Sequence, residues 1–361
     1  MSFLDELLRP ELADAKPYLP NQGSYRVRLD ANEAPGLFGP EVRARLAQAF
    51  AELSLERYPD ATATRLRSAV ASRLGVDASE LLMGVGSDEI LAFLVTALAK
   101  PRRASEPPLV LTTTPSFVMY KMTARLRGLR VMEVPLDADW DLAEEGMLRA
   151  LEMSTPHLVF IASPNNPTGT TVSQSRLERL IQAAPHSLFV VDEAYIDYAD
   201  HSRLDLFRTY ENVVVLRTLS KVGFAALRVG WLVGRPEIVR ELDKVRLPYN
   251  MNGVSQALGA VVVSELWDDV VRVVETVKSE RERLASALSA LPGLSISPRQ
   301  ANFLWIRTER PAGEIFEGLG ERGILVRSFH GSGGRLAHQL RVTIGTREEN
   351  DELLRAFQEL A

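Results

Sequence analysis

The sequence predicts an α/β fold built on a mostly parallel sheet, with a smaller α/β domain following it. Three observations carry this expectation. Short apolar runs without strict alternation recur through residues 109–234. Amphipathic helical stretches separate several of them. A long, regular helical run at 271–291 then breaks the rhythm, and new strand and helix patterns follow it. Strands covered by helices on both faces read as continuous apolar runs, so this pattern argues for a buried parallel sheet.

Residues 1–36 alternate apolar patches with Pro, Asn and Gly and end in LDANEAPG, the pattern of an arm crossing a surface. VRARLAQAFAEL (42–53) and ATATRLRSAVASRLG (61–75) have helical period, and Gly75 is placed to end the second. The strand runs are LVLTT (109–113), RVMEVPL (130–136), HLVFIA (157–162), SLFVVD (187–192), NVVVLRT (212–218) and VGWLVG (229–234). The sheet therefore has at least six strands. DLAEEGMLRALE (141–152) and SQSRLERLIQAA (173–184) are helices between them, and PRRASEPP (101–108) reads as a surface loop. Beyond the long helix come LSISP, ANFLWIR, PAGEIFEGLGERG, ILVR, LRVTIG and a closing helix, EENDELLRAFQEL. The expected division is an arm over 1–36, a large domain over 37–265 and a small domain over 266–361.

With 361 residues, 46% of them hydrophobic, the chain can bury one large core and a smaller one. A net charge of -5 and the lack of a dense basic stretch argue against nucleic acid. The chain has no cysteine, which excludes disulfides and thiolate metal sites. Histidines at 157, 186, 201, 330 and 338 lack metal-ligand spacing, so no metal is expected. The opening MSFLDELLRPEL does not read as a secretory signal, and no apolar run is long enough for a membrane span. A soluble cytoplasmic protein is the expectation.

Two strings are the most informative, VVDEAYIDY (190–198) and RTLSKVGFAALRVG (217–230). Asp192 and Tyr195 follow one buried run; Lys221, one of only six lysines, follows another. Strand ends are where α/β sheets place ligands. An acid, a phenol and an amine in this order can hold pyridoxal phosphate. Lys221 would be the covalent anchor and the acid–base group, Asp192 would face the pyridine nitrogen, and Tyr195 would reach the ring phenolate. Ser220 and Arg228 suit the cofactor phosphate, although Arg217 and Arg228 also read as solvated arginines. Asp192 also reads as a helix N-cap, and Glu193 is expected to satisfy a backbone or solvent contact.

GVGSDE (84–89) opens a helix and offers a phosphate cradle through Ser87 and Asp88, with a plain N-cap as the alternative. Neither a G-K-[ST] nor a GxGxxG pattern is present there, which argues against nucleotide sites. In PSFVMY (115–120), Phe117 is the aromatic to set over the cofactor ring, with core packing as its competitor. In SPNNPTG (163–169) two prolines and Gly169 fix a turn from which Asn166 can donate to the ring oxygen.

Together these strings resemble the fold-type I pyridoxal-phosphate aminotransferases over most of the chain. The resemblance implies a seven-stranded central sheet and a homodimer. It implies that Tyr58, in RYPD (57–60), reaches the cofactor phosphate of the partner subunit. It places Asn32, in LDANEAP, and Arg341, in LRVTIGTREEN (340–350), on the substrate side. Within the superfamily the Asn-Glu-x-Pro arm, RYPD and the closing segment are most similar to the histidinol-phosphate aminotransferases. That likeness implies that Arg327, in GILVRSF, and Arg341 bind the substrate phosphate in one half-reaction and a glutamate carboxylate in the other. It sets Tyr18, in KPYLP, near that phosphate. The implied reaction is transamination of L-histidinol phosphate with 2-oxoglutarate. Aromatic or aliphatic aminotransferases, a phospho-amino-acid decarboxylase and a non-catalytic cofactor-binding regulator stay open as alternatives. One departure stands out. Lys221 and Arg228 are seven residues apart, one fewer than the usual family pattern, so the loop between them is expected to follow a different path. HGSGG (330–334) is expected to be a surface loop.

Overall fold

The computed structural model describes residues 3–12, 17, 21, 23–102 and 106–360. Strand β1 (Val27–Arg28) lies in the arm. The next seven strands are β2 (Leu81–Val85), β3 (Leu109–Thr114), β4 (Arg130–Pro135), β5 (Leu158–Ala162), β6 (Leu188–Asp192), β7 (Val213–Thr218) and β8 (Val229–Val233). They form one sheet in the order β2-β8-β7-β6-β5-β3-β4. Every pairing from β4 through β7 is parallel, and β8 alone is reversed against its two neighbours. A mostly parallel seven-stranded sheet was implied, and this is what forms.

Burial follows the sequence pattern. All of β5 and β8 is buried, whereas the edge strand β4 is only partly covered. Helices Glu144–Ser154 and Gln174–Ala183 cover one face through Met147, Leu177 and Leu180. Helix Gly86–Ala97 covers the other through Ile90, Leu91 and Leu94. Helix Thr64–Leu74 stops where Gly75 enters the left-handed region at φ 63°, its amide donating to the Ala71 carbonyl. Strand β2 was not separable in the sequence, because LLMGV is short and runs straight into the helix that begins at Gly86.

The 23-residue helix Trp267–Ser289 leads to β9 (Leu294–Ile296), β10 (Phe303–Thr308), β11 (Ile324–Leu325), β12 (Arg327–Ser328) and β13 (Gln339–Thr343). An antiparallel sheet runs β12-β13-β10-β9, while β11 pairs in parallel with β1. The arm is thereby stitched to the C-terminal part, and this delivers Asp30 and Asn32 between the two sheets.

The corner after β6 is fixed by a buried ion pair. Glu193 has no exposed side-chain surface. It accepts hydrogen bonds from Arg217 Nε at 2.9 Å and Nη2 at 2.8 Å, from the Ser202 hydroxyl and from the Arg203 amide. Of the backbone or solvent contact expected of Glu193, the backbone one forms, at the Arg203 amide, and the solvent one is corrected, as is the solvated reading of Arg217. Burial demands compensation for the carboxylate, and the adjoining strand supplies it. Arg217→Met leaves that charge unpaired and is expected to cost about 3–5 kcal/mol in chemical denaturation. A loss below about 1 kcal/mol would show that the pair does not hold the corner.

Candidate active site

The C-terminal ends of β3, β5, β6 and β7 open on one edge of the sheet, and a cavity of about 490 Å³ lies there. Its wall carries all of the residues expected from sequence except two. Tyr18 lies outside the described residues. Tyr58 is 82% exposed, stacks on Tyr249 at 4.8 Å and does not line this cavity.

Asp192 ends β6 and is 4% exposed. Tyr120 donates to its Oδ2 at 2.6 Å, and the Ala194 amide to its Oδ1 at 3.0 Å. Burial pushes the carboxyl up to about 6, against the pull of those two donors. The turn contact to Ala194 and a role toward a ligand therefore coexist. Tyr120 itself stacks on Phe160 at 5.0 Å and meets Phe117 edge-on at 5.5 Å, so one aromatic column supports both Phe117 and Asp192.

Tyr195 is buried against Phe303, and its hydroxyl accepts from Asn32 Nδ2 at 2.9 Å. Asn32 holds a left-handed φ of 56°, and its Oδ1 accepts from Thr343 at 3.1 Å. It lines the cavity, yet its amide is committed first to aligning Tyr195. Lys221 Nζ sits 5.6 Å from the Tyr195 ring centre. The buried Tyr198 hydroxyl donates to the Lys221 carbonyl at 2.8 Å, which pins the lysine's backbone. Asn166 Oδ1 accepts from Arg341 Nη1 at 2.6 Å. Since Arg can only donate, this fixes the amide's orientation and leaves its N–H groups for the cavity.

At the opposite end, Gly86 (φ 73°) and Ser87 open the helix Gly86–Ala97. A Cβ on Gly230 would lie 2.5 Å from the Gly86 carbonyl carbon and the Ser87 nitrogen, so only glycine lets β8 touch this turn. The short loop after Lys221 closes through left-handed backbone at Gly223 (φ 101°) and Arg228 (φ 50°). Its path returns the Arg228 guanidinium to 3.3 Å from Ser220 Oγ and 3.4 Å from Asp88. Thr218, 2.9 Å from the Ser220 hydroxyl, orients that group.

The donor set fits pyridoxal phosphate at both ends. Hydroxyls, helix amides and a guanidinium suit the phosphate dianion. A costly buried carboxyl at the other end suits a protonated ring nitrogen. Sequence reasoning missed Tyr120, Tyr198 and Thr218. The signal for Tyr120 was its place one helical turn after Phe117; that for Thr218 was its place two residues before Ser220, while Tyr198 left none, since its partner is a backbone carbonyl distant in sequence.

The family model described as aminotransferase class I and II matches residues 26–357. The chain belongs to this family. Members of the family are pyridoxal-phosphate-dependent, so this chain is a fold-type I aminotransferase using that cofactor. Its relatives include histidinol-phosphate aminotransferase 1 of Ralstonia nicotianae, 39% identical over 98% of this chain and 94% of that one. The histidinol-phosphate aminotransferase of Chromobacterium violaceum is 38% identical over 98% of each. Among solved structures, the Sinorhizobium meliloti histidinol-phosphate aminotransferase in complex with pyridoxal-5'-phosphate superposes with a TM-score of 0.83 at 25% identity. That match covers 94% of this aminotransferase and 92% of its counterpart. Among the described residues no helix is long and apolar enough to cross a membrane.

The raised Asp192 carboxyl has a consequence for stability. Its pKa rises from 3.8 to about 6 on folding, so between those values the native state holds a proton that the unfolded chain releases. Stability is therefore lost as pH rises from about 4 to about 6, by at most roughly 3 kcal/mol. Asp192→Asn should abolish this loss in protein stripped of cofactor. Urea denaturation at several pH values should find the variant gaining on the parent across that window. A pH-independent difference would contradict the assignment.

Proposed function

We propose that this aminotransferase moves the amino group of L-histidinol phosphate to 2-oxoglutarate, giving imidazole acetol phosphate and L-glutamate, a step of histidine biosynthesis. One observation carries the substrate assignment. Arg327 on β12 and Arg341 on β13 are direct cross-strand partners, and both line the cavity. Like charges directly opposite one another destabilise a sheet. Such a pair is tolerable where an anion meets both, and two guanidinium forks suit a phosphate or a carboxylate. Among the described residues, Arg327's side chain has no hydrogen-bond or ion-pair partner, whereas Arg341 is already fixed by Asn166 and the Asp30 carbonyl. One arginine would thus be preset and the other would turn to the arriving anion. The names of the full-length relatives support the same reading.

Pyridoxal phosphate, when bound, supplies an aldehyde that condenses with amines and a ring that draws electrons from the substrate α-carbon. The Ser87 and Asp88 amides at the helix start, the Ser220 hydroxyl and the Arg228 guanidinium would hold its phosphate, and Phe117 would cover its face. Lys221 would anchor it and, once displaced by the amino donor, carry the proton between the two carbons that exchange it. Asp192 would keep the ring nitrogen protonated, with Tyr120 steadying the carboxylate. Tyr195 and Asn166 would donate to the ring oxygen. The exposed Tyr58 suits a residue that completes a neighbour's phosphate site, which makes the working unit a homodimer. A cytoplasmic home goes with this biosynthetic role, and the chain would divide into an arm over 1–36, a large domain over 37–265 and a small domain over 266–361.

Assayed against L-histidinol phosphate, phenylalanine, leucine and threonine phosphate, the enzyme should give its largest kcat/KM with histidinol phosphate. Arg327→Gln should cut that value by about 10- to 100-fold. A larger specificity constant for any of the other three would overturn the substrate assignment. The dimer is tested by mixing. Tyr58→Ala and Lys221→Ala variants, each impaired alone, should regain activity on subunit exchange, because one hybrid site then carries both native residues. No recovery after verified exchange would mean that Tyr58 serves its own subunit.

A further inference from the structure

HGSGG is the one conspicuous motif that the site described above leaves unused. It begins the segment 330–338, which joins β12 to β13 through two short 3-10 turns. A Cβ on Gly331, Gly333 or Gly334 would meet nothing within 4 Å. Packing therefore does not select glycine here. Gly333 and Gly334 have φ of 68° and 55°, so backbone freedom does.

The far end of the segment grips the large sheet's side of the molecule. Arg335 Nη1 donates to the Asp137 carbonyl at 2.6 Å and Nη2 to the Leu136 carbonyl at 2.7 Å. Its guanidinium carbon lies 3.8 Å from the centre of the Trp140 ring. Leu336 packs on the same apolar cluster as Trp140. The gripped loop is cross-linked within itself: Asp137 accepts the amides of Asp139 and Asp141 and pairs with Arg176. Trp140 is buried and held at a left-handed φ of 64°. From Trp140 a ladder of edge-on rings runs through Trp305 at 5.6 Å to Phe329 at a further 4.9 Å. Phe329 and Arg327 both line the active-site cavity.

We propose that residues 330–338 form a strap whose Arg335 clasps the Leu136 and Asp137 carbonyls and the Trp140 face, and thereby positions Phe329 and Arg327 for the amino donor's tail. Only the last step rests on the substrate reading above. Arg335 touches no reacting atom and is a positioning residue. With the clasp closed the cavity wall is preset. With it open, apparent affinity falls in proportion to the fraction of molecules whose wall is in place. Proton movement at Lys221 is untouched, so KM rises while kcat is kept.

The test compares Arg335→Gln and Arg335→Lys with the parent holoenzyme. Arg335 is exposed, so both variants are expected to keep the fold, which unchanged circular dichroism would check. The Gln variant should raise KM for L-histidinol phosphate and for L-glutamate about tenfold, with kcat within about twofold. The Lys variant should fall between, since an ammonium keeps the ring contact but cannot fork onto two carbonyls. Hydrogen exchange of residues 329–338 without substrate should quicken in the Gln variant. Faster exchange in an enzyme that proves to prefer another donor, with a raised KM for that donor, sinks the substrate assignment and upholds the clasp. Unchanged exchange, or faster exchange with KM unchanged for the best donor, overturns the clasp. Equal losses in kcat and kcat/KM overturn it as well.

Discussion

A carboxylate at the end of a buried strand governs this site. Asp192 is enclosed by its own sheet, and its two hydrogen bonds only partly offset the burial that raises its pKa. A group in that position is stabilised by a cation that arrives from the cavity. The neighbouring structure keeps this arrangement open to a ligand. Tyr120 and the Ala194 amide steady the carboxylate without neutralising it. Glu193, the very next residue, is instead fully paired within the protein by Arg217. Two adjacent acids thus have opposite fates: one is satisfied internally and fixes the corner, while the other faces the cavity.

The rest of the site follows from topology. Parallel strands bring successive chain segments to one edge, so residues scattered from 87 to 228 meet there. The reversal of β8 folds the Lys221 loop back so that Gly230 can touch the turn at Gly86. The arm's pairing with β11 carries Asn32 to Tyr195 and the Asp30 carbonyl to Arg341. The anion-binding end of the site is therefore built jointly by the beginning and the end of the chain. That joint construction lets the arginine pair on β12 and β13 face the same cavity as the lysine.

Much of this was legible in the sequence because the strongest signals are local. The strand runs ending in Asp192 and Thr218 are continuous apolar segments followed abruptly by polar side chains, and strand ends are where such changes occur. Gly75 marked a helix end because few other residues adopt its backbone. What stayed hidden depends on pairing between distant segments. The cross-strand register of Arg327 with Arg341, the grip of Tyr198 on the Lys221 carbonyl and the burial of Glu193 leave no trace in local periodicity. The short loop before Arg228 was visible as a count. Only its left-handed backbone explains how the guanidinium still returns to Ser220.

The proposed chemistry requires that Lys221 carry the cofactor covalently opposite Asp192. Borohydride reduction of the holoenzyme, followed by peptide mapping, tests this directly, because it renders the lysine attachment permanent. One labelled peptide is expected, with the pyridoxyl mass on Lys221. A label on any of the other five lysines, or none in protein supplied with pyridoxal phosphate, would contradict it.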